Sequence, residues 1–207
     1  MTSLISHESA LFIDIGGVML TNGWDTKARS RAVELFGLDG PETETRHSLV
    51  VDLFERGKIT LNEYMDWVVF HRPRPFSRED FKVFIFAQSH PFNEMLEFIG
   101  AFKHLHSLKV IAISNEGREV MEHRIEAFHL KKVIDLFVCS CFVDLRKPDP
   151  AIFRLASDLS QTATQNSVYI DDRALFVEVA EGLGFSGIHH KDMESTKLAL
   201  KDMGWPK

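Results

Sequence analysis

The stretch Leu11-Phe-Ile-Asp-Ile-Gly-Gly-Val18 decides how this chain folds. Three apolar residues run into one carboxylate, and two glycines follow close behind. A short, nearly unbroken apolar run reads as a strand buried on both faces, as in parallel sheets. We place that strand at Leu11–Ile15. Its carboxyl end, at Asp14-Ile15-Gly16-Gly17, is where open α/β sheets bind their ligands.

Four further stretches share the pattern: Val110–Ser114, Leu136–Cys141, Val168–Asp171 and Gly187–His189. Helical spacing separates them. Phe92, Leu96, Ile99 and Phe102 recur every three or four residues. Leu175, Val179 and Leu183 recur every four and stop at Gly184. Asp149-Pro150 has the form of a helix cap followed by proline in the first turn. Strand and helix in alternation predict a doubly wound parallel, Rossmann-like α/β sheet.

The first interval breaks that rhythm. About 95 residues separate the first two strands, far more than one crossover needs. Between Trp24 and Ser89 the apolar patches Ala32–Phe36, Leu49–Phe54, Leu61–Phe70 and Phe81–Phe86 look helical, and Thr60 to Glu63 has the form of a capping box. The expectation is an α-helical cap, residues 24–89, inserted into an α/β core made of residues 1–23 and 90–207.

Composition bounds the rest. The chain has 207 residues, 44% hydrophobic and 26% charged, the profile of a soluble globular protein. Its net charge of −6 argues against nonspecific binding to nucleic acid or to an anionic membrane. The longest strictly apolar run, Val83 to Ala87, is too short to cross a bilayer. Met1 to Ser9 lacks a basic segment followed by a hydrophobic one, so no secretory leader is expected. Cys139 and Cys141 read as a buried, reduced pair on one strand face, which fits a cytoplasmic protein.

The strand ends carry the chemistry. They present Asp14, then Ser114-Asn115, then Lys147-Pro148 in a loop, then Asp171-Asp172. Three clustered carboxylates repel one another unless a cation compensates. Lys147 brings one positive charge, and Mg²⁺, which prefers hard oxygen ligands, would bring two. A carboxylate at a strand end can act as a nucleophile and form an aspartyl-phosphate. Ser114, Asn115 and Lys147 are the donors that phosphoryl oxygens need. His189-His190 reads as strand and loop rather than a metal site, for want of a third ligand. Trp24, Tyr64 and Trp67 read as core, and Arg72 and Arg74 as an exposed loop.

The order Asp14-x-Gly-Gly-Val, Ser114-Asn115, Lys147-Pro148 and Asp171-Asp172 resembles the four motifs of the haloacid dehalogenase superfamily, from about Leu11 to about His190. The insertion resembles the helical cap of its small-molecule hydrolases. Phe54-Glu-Arg-Gly-Lys-Ile-Thr60 is similar to a stretch in the glucose-1-phosphate phosphatase branch. The resemblance implies Asp14 as nucleophile and metal ligand, a Gly16 carbonyl on Mg²⁺, Ser114 and Asn115 on the phosphoryl oxygens, and Lys147 steadying both nucleophile and phosphoryl charge. Asp172 is then the direct metal ligand, with Asp171 acting directly or through water.

One position departs from the pattern. Most phosphatases of the superfamily carry a second Asp, the general acid and base, where this chain has Gly16. His47, His71 and Asp25 are candidates to replace it. The leading expectation is a Mg²⁺-dependent phosphatase of a small phosphorylated metabolite, a sugar phosphate. The alternatives are a catalytically weak or inactive binding or regulatory protein and, behind it, an L-2-haloacid dehalogenase.

Overall fold

The structure is a computed structural model that describes residues 9–205, so the expectation for residues 1–8 lies outside the described residues. Five strands form one parallel sheet in the order β3-β2-β1-β4-β5. They are β1 (Ala10–Ile13), β2 (Lys109–Ser114), β3 (Leu136–Cys139), β4 (Ser167–Asp171) and β5 (Ser186–His189). β1 pairs Ile13 with Ala112 of β2 on one side and with Ile170 of β4 on the other. The chain winds outward from β1 through β2 and β3, then returns to its other side for β4 and β5. The switch point of the sheet therefore falls at the end of β1.

Alternation along β1 explains why its residues are apolar without a break. Leu11 and Ile13 enter the apolar cluster on one face, with Met95 and Ile99 of α5 (Asn93–His106) and Met121 of α6 (Arg118–Ala127). Ala10 and Phe12 enter the other, with Phe153 of α8 (Pro150–Ser160) and Phe176 of α9 (Ala174–Glu181). A strand roofed on both sides has no solvent face to place polar residues on. The last helix, α10 (Met193–Asp202), buries Leu200 against the first cluster. Among the described residues, no helix is long and apolar enough to cross a membrane.

Four helices lie between β1 and α5: α1 (Thr26–Phe36), α2 (Gly40–Glu55), α3 (Leu61–Val68) and α4 (Arg78–Phe86). The Thr60–Glu63 capping box opens α3. The four share an apolar cluster of their own, built around Phe54, Tyr64, Met65, Phe81 and Ile85. It meets the sheet unit through Val120 of α6. Phe54 lies against Gly117, where even a methyl group would overlap its ring. Two chain segments join this insertion to the sheet and hold each other: Thr21 N–H donates to the His90 carbonyl at 2.9 Å, and the Thr21 hydroxyl donates to the Gln88 carbonyl at 2.8 Å.

Several local expectations need correction. The third strand stops at Cys139, and Ser140–Val143 turns into a short helix, α7. Cys141 is thus helical, although both thiols are buried and free as expected. β1 starts at Ala10 and ends at Ile13, leaving Asp14 and Ile15 in the loop. On α9 the buried residues are Phe176, Val177 and Ala180. Leu175 is 56% exposed, so the Leu175–Leu183 stripe did not mark the inner face. Trp24 and Tyr64 are buried, but Trp67 is 44% exposed.

Candidate active site

Asp14 follows β1 directly, and its own N–H donates to the Ile170 carbonyl of β4 at 2.9 Å. Its Oδ1 accepts from the Ile15 N–H at 2.7 Å. The loop then doubles back, with Gly17 N–H donating to the Leu20 carbonyl. Gly17 has φ of +76°, and a Cβ there would fall 2.1 Å from Asp172 Oδ2. Both facts demand glycine: the left-handed backbone, and a second carboxylate pressed against the turn.

Lys147 is 1% exposed and reaches two of the carboxylates. Its Nζ lies 2.6 Å from Asp171 Oδ2 and 3.2 Å from Asp14 Oδ2. The Tyr169 hydroxyl also donates to Asp171 Oδ2. Burial works against the lysine's charge, but Asp14 and Asp171 outweigh it and raise its pKa. Asn115 grips the lysine's backbone from both sides: Nδ2 donates to the Lys147 carbonyl and Oδ1 accepts from the Lys147 N–H, each at 2.9 Å. Asn115 Oδ1 and one Nδ2 hydrogen thereby hold the lysine in register.

Burial raises the Asp14 carboxyl to about 6; Lys147 and the Ser114 hydroxyl pull it down, while Asp171 and Asp172 push it up. Asp14, Asp171 and Asp172 each offer one oxygen to a common point, all within 4.8 Å of one another. Asp171 is well supplied, since its Oδ1 accepts from the Arg173 N–H and its Oδ2 is held by Lys147 and Tyr169. Asp172 differs. Its Oδ2 accepts from Asn22 at 3.2 Å, whereas its Oδ1 is buried with no hydrogen-bond partner. A buried carboxylate oxygen without a donor is costly, and a cation removes that cost. The residues therefore fit a Mg²⁺-like ion.

The cluster opens into a cavity of about 240 Å³. Asp14, Gly16, Ser114, Asn115 and Lys147 line it from the sheet side; Trp24, Asp25, Arg29, His47 and Glu55 line it from the insertion. Of the acid–base candidates, Asp25 spends one carboxylate oxygen capping α1, accepting from Ala28 N–H. His71 is not among the lining residues and lies against Glu42. His47 does line the cavity. The buried Trp24 Nε1–H donates to the Tyr64 hydroxyl at 2.8 Å, and that hydroxyl lies 2.7 Å from His47 Nδ1. With Trp24 donating to it, the Tyr64 hydroxyl has its own proton to offer His47 Nδ1, an arrangement that puts the imidazole proton on Nε2. Burial, then Arg29, lowers the His47 pKa to about 4. At neutral pH the ring is a fixed neutral donor with little acid to offer.

Among the charged residues of the cavity that carry no motif in the sequence, two are paired at its wall. Glu116 and Arg124 are buried and paired, with Nη1 to Oε2 at 2.9 Å. Arg124 also donates through Nε to Ser89 Oγ and through Nη2 to the Thr21 carbonyl. Adjacency to Ser114-Asn115 could have drawn attention to Glu116. Arg124, in the last turn of α6, carried no such signal.

A family model for haloacid dehalogenase-like hydrolases matches residues 9–184, and the chain belongs to that family. Among solved structures it resembles a haloacid dehalogenase family enzyme from Bacteroides thetaiotaomicron in its magnesium complex. The TM-score is 0.76 at 19% identity, over 89% of this chain and 94% of that one. A predicted family hydrolase from Porphyromonas gingivalis gives 0.75 at 16% identity, over 98% and 100%. An L-2-haloacid dehalogenase gives 0.60 at 17% identity, over 87% and 83%. At such identities the likeness establishes a shared fold. No curated protein sequence matches the chain.

Proposed function

We propose that the chain is a Mg²⁺-dependent phosphatase of a small phosphorylated metabolite, a sugar phosphate of the kind handled by the glucose-1-phosphate phosphatase branch. The observation that carries this reading is the buried group of Lys147, Asp14 and Asp171 beside an Asp172 oxygen with no partner. The Asp14 carboxylate attacks phosphorus, and the leaving oxygen departs to give an aspartyl-phosphate, which water then hydrolyses. Ser114 and Lys147 face the phosphoryl charge. Asn115 fixes the lysine's backbone so that its ammonium keeps station. Asp14, the Gly16 carbonyl and Asp172 would hold Mg²⁺, with Asp171 helping directly or through water. The ion would neutralise phosphoryl charge and draw the Asp14 carboxyl down from about 6.

Residues 24–89 act in this reading as a cap that excludes water and selects the leaving group. The polar lining, with the His47 Nε2–H presented as a donor, suits hydroxyls of a sugar. The cavity volume suits a metabolite rather than a polymer. The metabolite is the partner we assign, with neither nucleic acid nor membrane. The buried free thiols favour a cytoplasmic setting.

A haloacid dehalogenase would also use an Asp nucleophile and share this fold, but it needs no cation. The unsatisfied Asp172 oxygen favours cation-dependent chemistry. The decisive experiment is phosphate release across a sugar-phosphate panel with Mg²⁺ or EDTA, using native chain and Asp14→Asn. We expect Mg²⁺-dependent release that Asp14→Asn abolishes. Halide release from 2-chloropropionate in EDTA, without phosphatase activity, would overturn the reading. An inert chain that binds Mg²⁺ and a phosphate mimic would mark a binding protein.

A further inference from the structure

If the chain is a phosphatase, Gly16 leaves it without the usual proton carrier. A Cβ built on Gly16 lies 3.7 Å from Arg124 Nη1, and the same nitrogen holds Glu116 Oε2 at 2.9 Å. Through Arg124, the Glu116 carboxyl is thus tied to the neighbourhood that a longer side chain at position 16 would enter, its Oε2 no more than two such contacts from that Cβ. Glu116 follows Ser114-Asn115 directly and lines the cavity with Asp14. Its Oε1 accepts from the Gly117 N–H at 3.2 Å. A carboxyl has about four lone-pair sites, and these two contacts leave room for a proton.

We infer that Glu116 is the proton donor and acceptor of the reaction, in the place of the residue absent at Gly16. The inference rests on the phosphatase reading above. As Asp14 attacks, the bond from phosphorus to the leaving oxygen breaks and that oxygen takes the Glu116 proton, leaving as an alcohol. Glu116 is then a carboxylate. It takes a proton from water as the water oxygen bonds to phosphorus and the bond to Asp14 breaks. Phosphate leaves, and both carboxyls return to their starting forms.

The surroundings suit this task. Burial raises the Glu116 carboxyl to about 7; Arg124 and the Gly117 N–H pull it down, and Glu55 and Asp14 push it up. Cys139 and Cys141 also face it, both held as neutral thiols. A general acid works best near the operating pH. His47, lowered to about 4, does not meet that condition.

The test is Glu116→Gln, which keeps shape and acceptor but cannot exchange the proton. On an alkyl phosphate kcat should fall by about 10²–10⁴-fold. With p-nitrophenyl phosphate, whose leaving group needs no proton, the variant should release a burst of about one nitrophenolate per chain at near-native rate, then stall as the phosphorylated enzyme. The limb near pH 7 in the native kcat profile should vanish. Native kcat on the alkyl phosphate overturns the inference, and so does an equal loss of burst rate on both substrates. Should the glutamine variant fail to fold, Glu116→Asp serves instead. It should keep the pH limb with lower kcat and a steeper leaving-group dependence, and an unchanged leaving-group dependence overturns the inference. Asp14→Asn separates the two readings. Its activity, or an inert native chain, sinks the phosphatase reading, whereas an inactive Asp14→Asn beside a fully active Glu116→Gln sinks only this one.

Discussion

Replacing Lys147 with methionine asks how much of the site's stability hangs on one ammonium. The side chain is 1% exposed, and its nitrogen lies 2.6 Å from Asp171 and 3.2 Å from Asp14. At an effective dielectric of about 20 each contact is worth about 5–6 kcal/mol of Coulomb attraction before desolvation is subtracted. Removing one partner of a buried pair costs about 3–5 kcal/mol in practice. For a chain this long that corresponds to about 6–20 °C in melting temperature. The sign with pH follows. Asp14 is already raised above its ordinary value, so its effect on stability is least harmful at low pH and worsens as pH climbs through about 6. Without Lys147 that slope should steepen, and the variant should come closer to native stability near pH 4, where Asp14 holds its proton. Mg²⁺ at about 100 times its dissociation constant should return about 2.7 kcal/mol at pH 7.5. The assay is thermal and urea unfolding of both chains at pH 4 and 7.5, in EDTA and in Mg²⁺. A loss below about 1 kcal/mol at pH 7.5, or one of equal size at pH 4, would show that Lys147 does not neutralise these carboxylates.

Three more outcomes follow from the geometry. Gly17→Ala should cost about 1–2 kcal/mol from the left-handed backbone alone. It should also displace Asp172, whose Oδ2 lies 2.1 Å from the new Cβ, and weaken Mg²⁺ binding measured by calorimetry; unchanged affinity would refute the contact. Asp172→Asn should raise the Mg²⁺ concentration for half-maximal activity by at least tenfold, in line with about 1.4 kcal/mol of lost binding. The titration fails the assignment if the midpoint stays put. Tyr64→Phe removes the proton given to His47 Nδ1, leaving the ring free to change tautomer. A rise in KM for sugar phosphates with little change in kcat is expected, and a kcat loss at constant KM would place His47 in the chemistry instead.

The fold was legible because each β1 residue is apolar for a simple reason: Leu11 and Phe12 face opposite clusters, and both clusters are apolar. The strand-end residues Asp14, Lys147 and Asp171 were legible because topology alone brings strand ends together. What escaped notice depends on side chains that cross between elements. Asn115 clamps a backbone 32 residues away, a contact that no local pattern announces. Arg124 stands in no motif, and no periodicity could have sent its guanidinium into the cavity. Leu175 misled because a spacing of four on a short helix fits more than one face. Cys141 misled because an apolar run says nothing of where a strand gives way to a turn of helix.

Arg124 joins three parts of the molecule at once. It holds Thr21 on one connecting segment, Ser89 on the other, and Glu116 in the cavity. A Cβ on Gly23 would overlap its Nη2, and with φ of +64° that residue too has reason to be glycine. A movement of the insertion must bend at these connections, and it cannot do so without pulling on the cation that balances a buried carboxylate. Position of the insertion and charge in the cavity are in that sense one coordinate. Spreading the two connecting segments would loosen Arg124 from Glu116 and favour its protonated form, and drawing them together would favour the carboxylate.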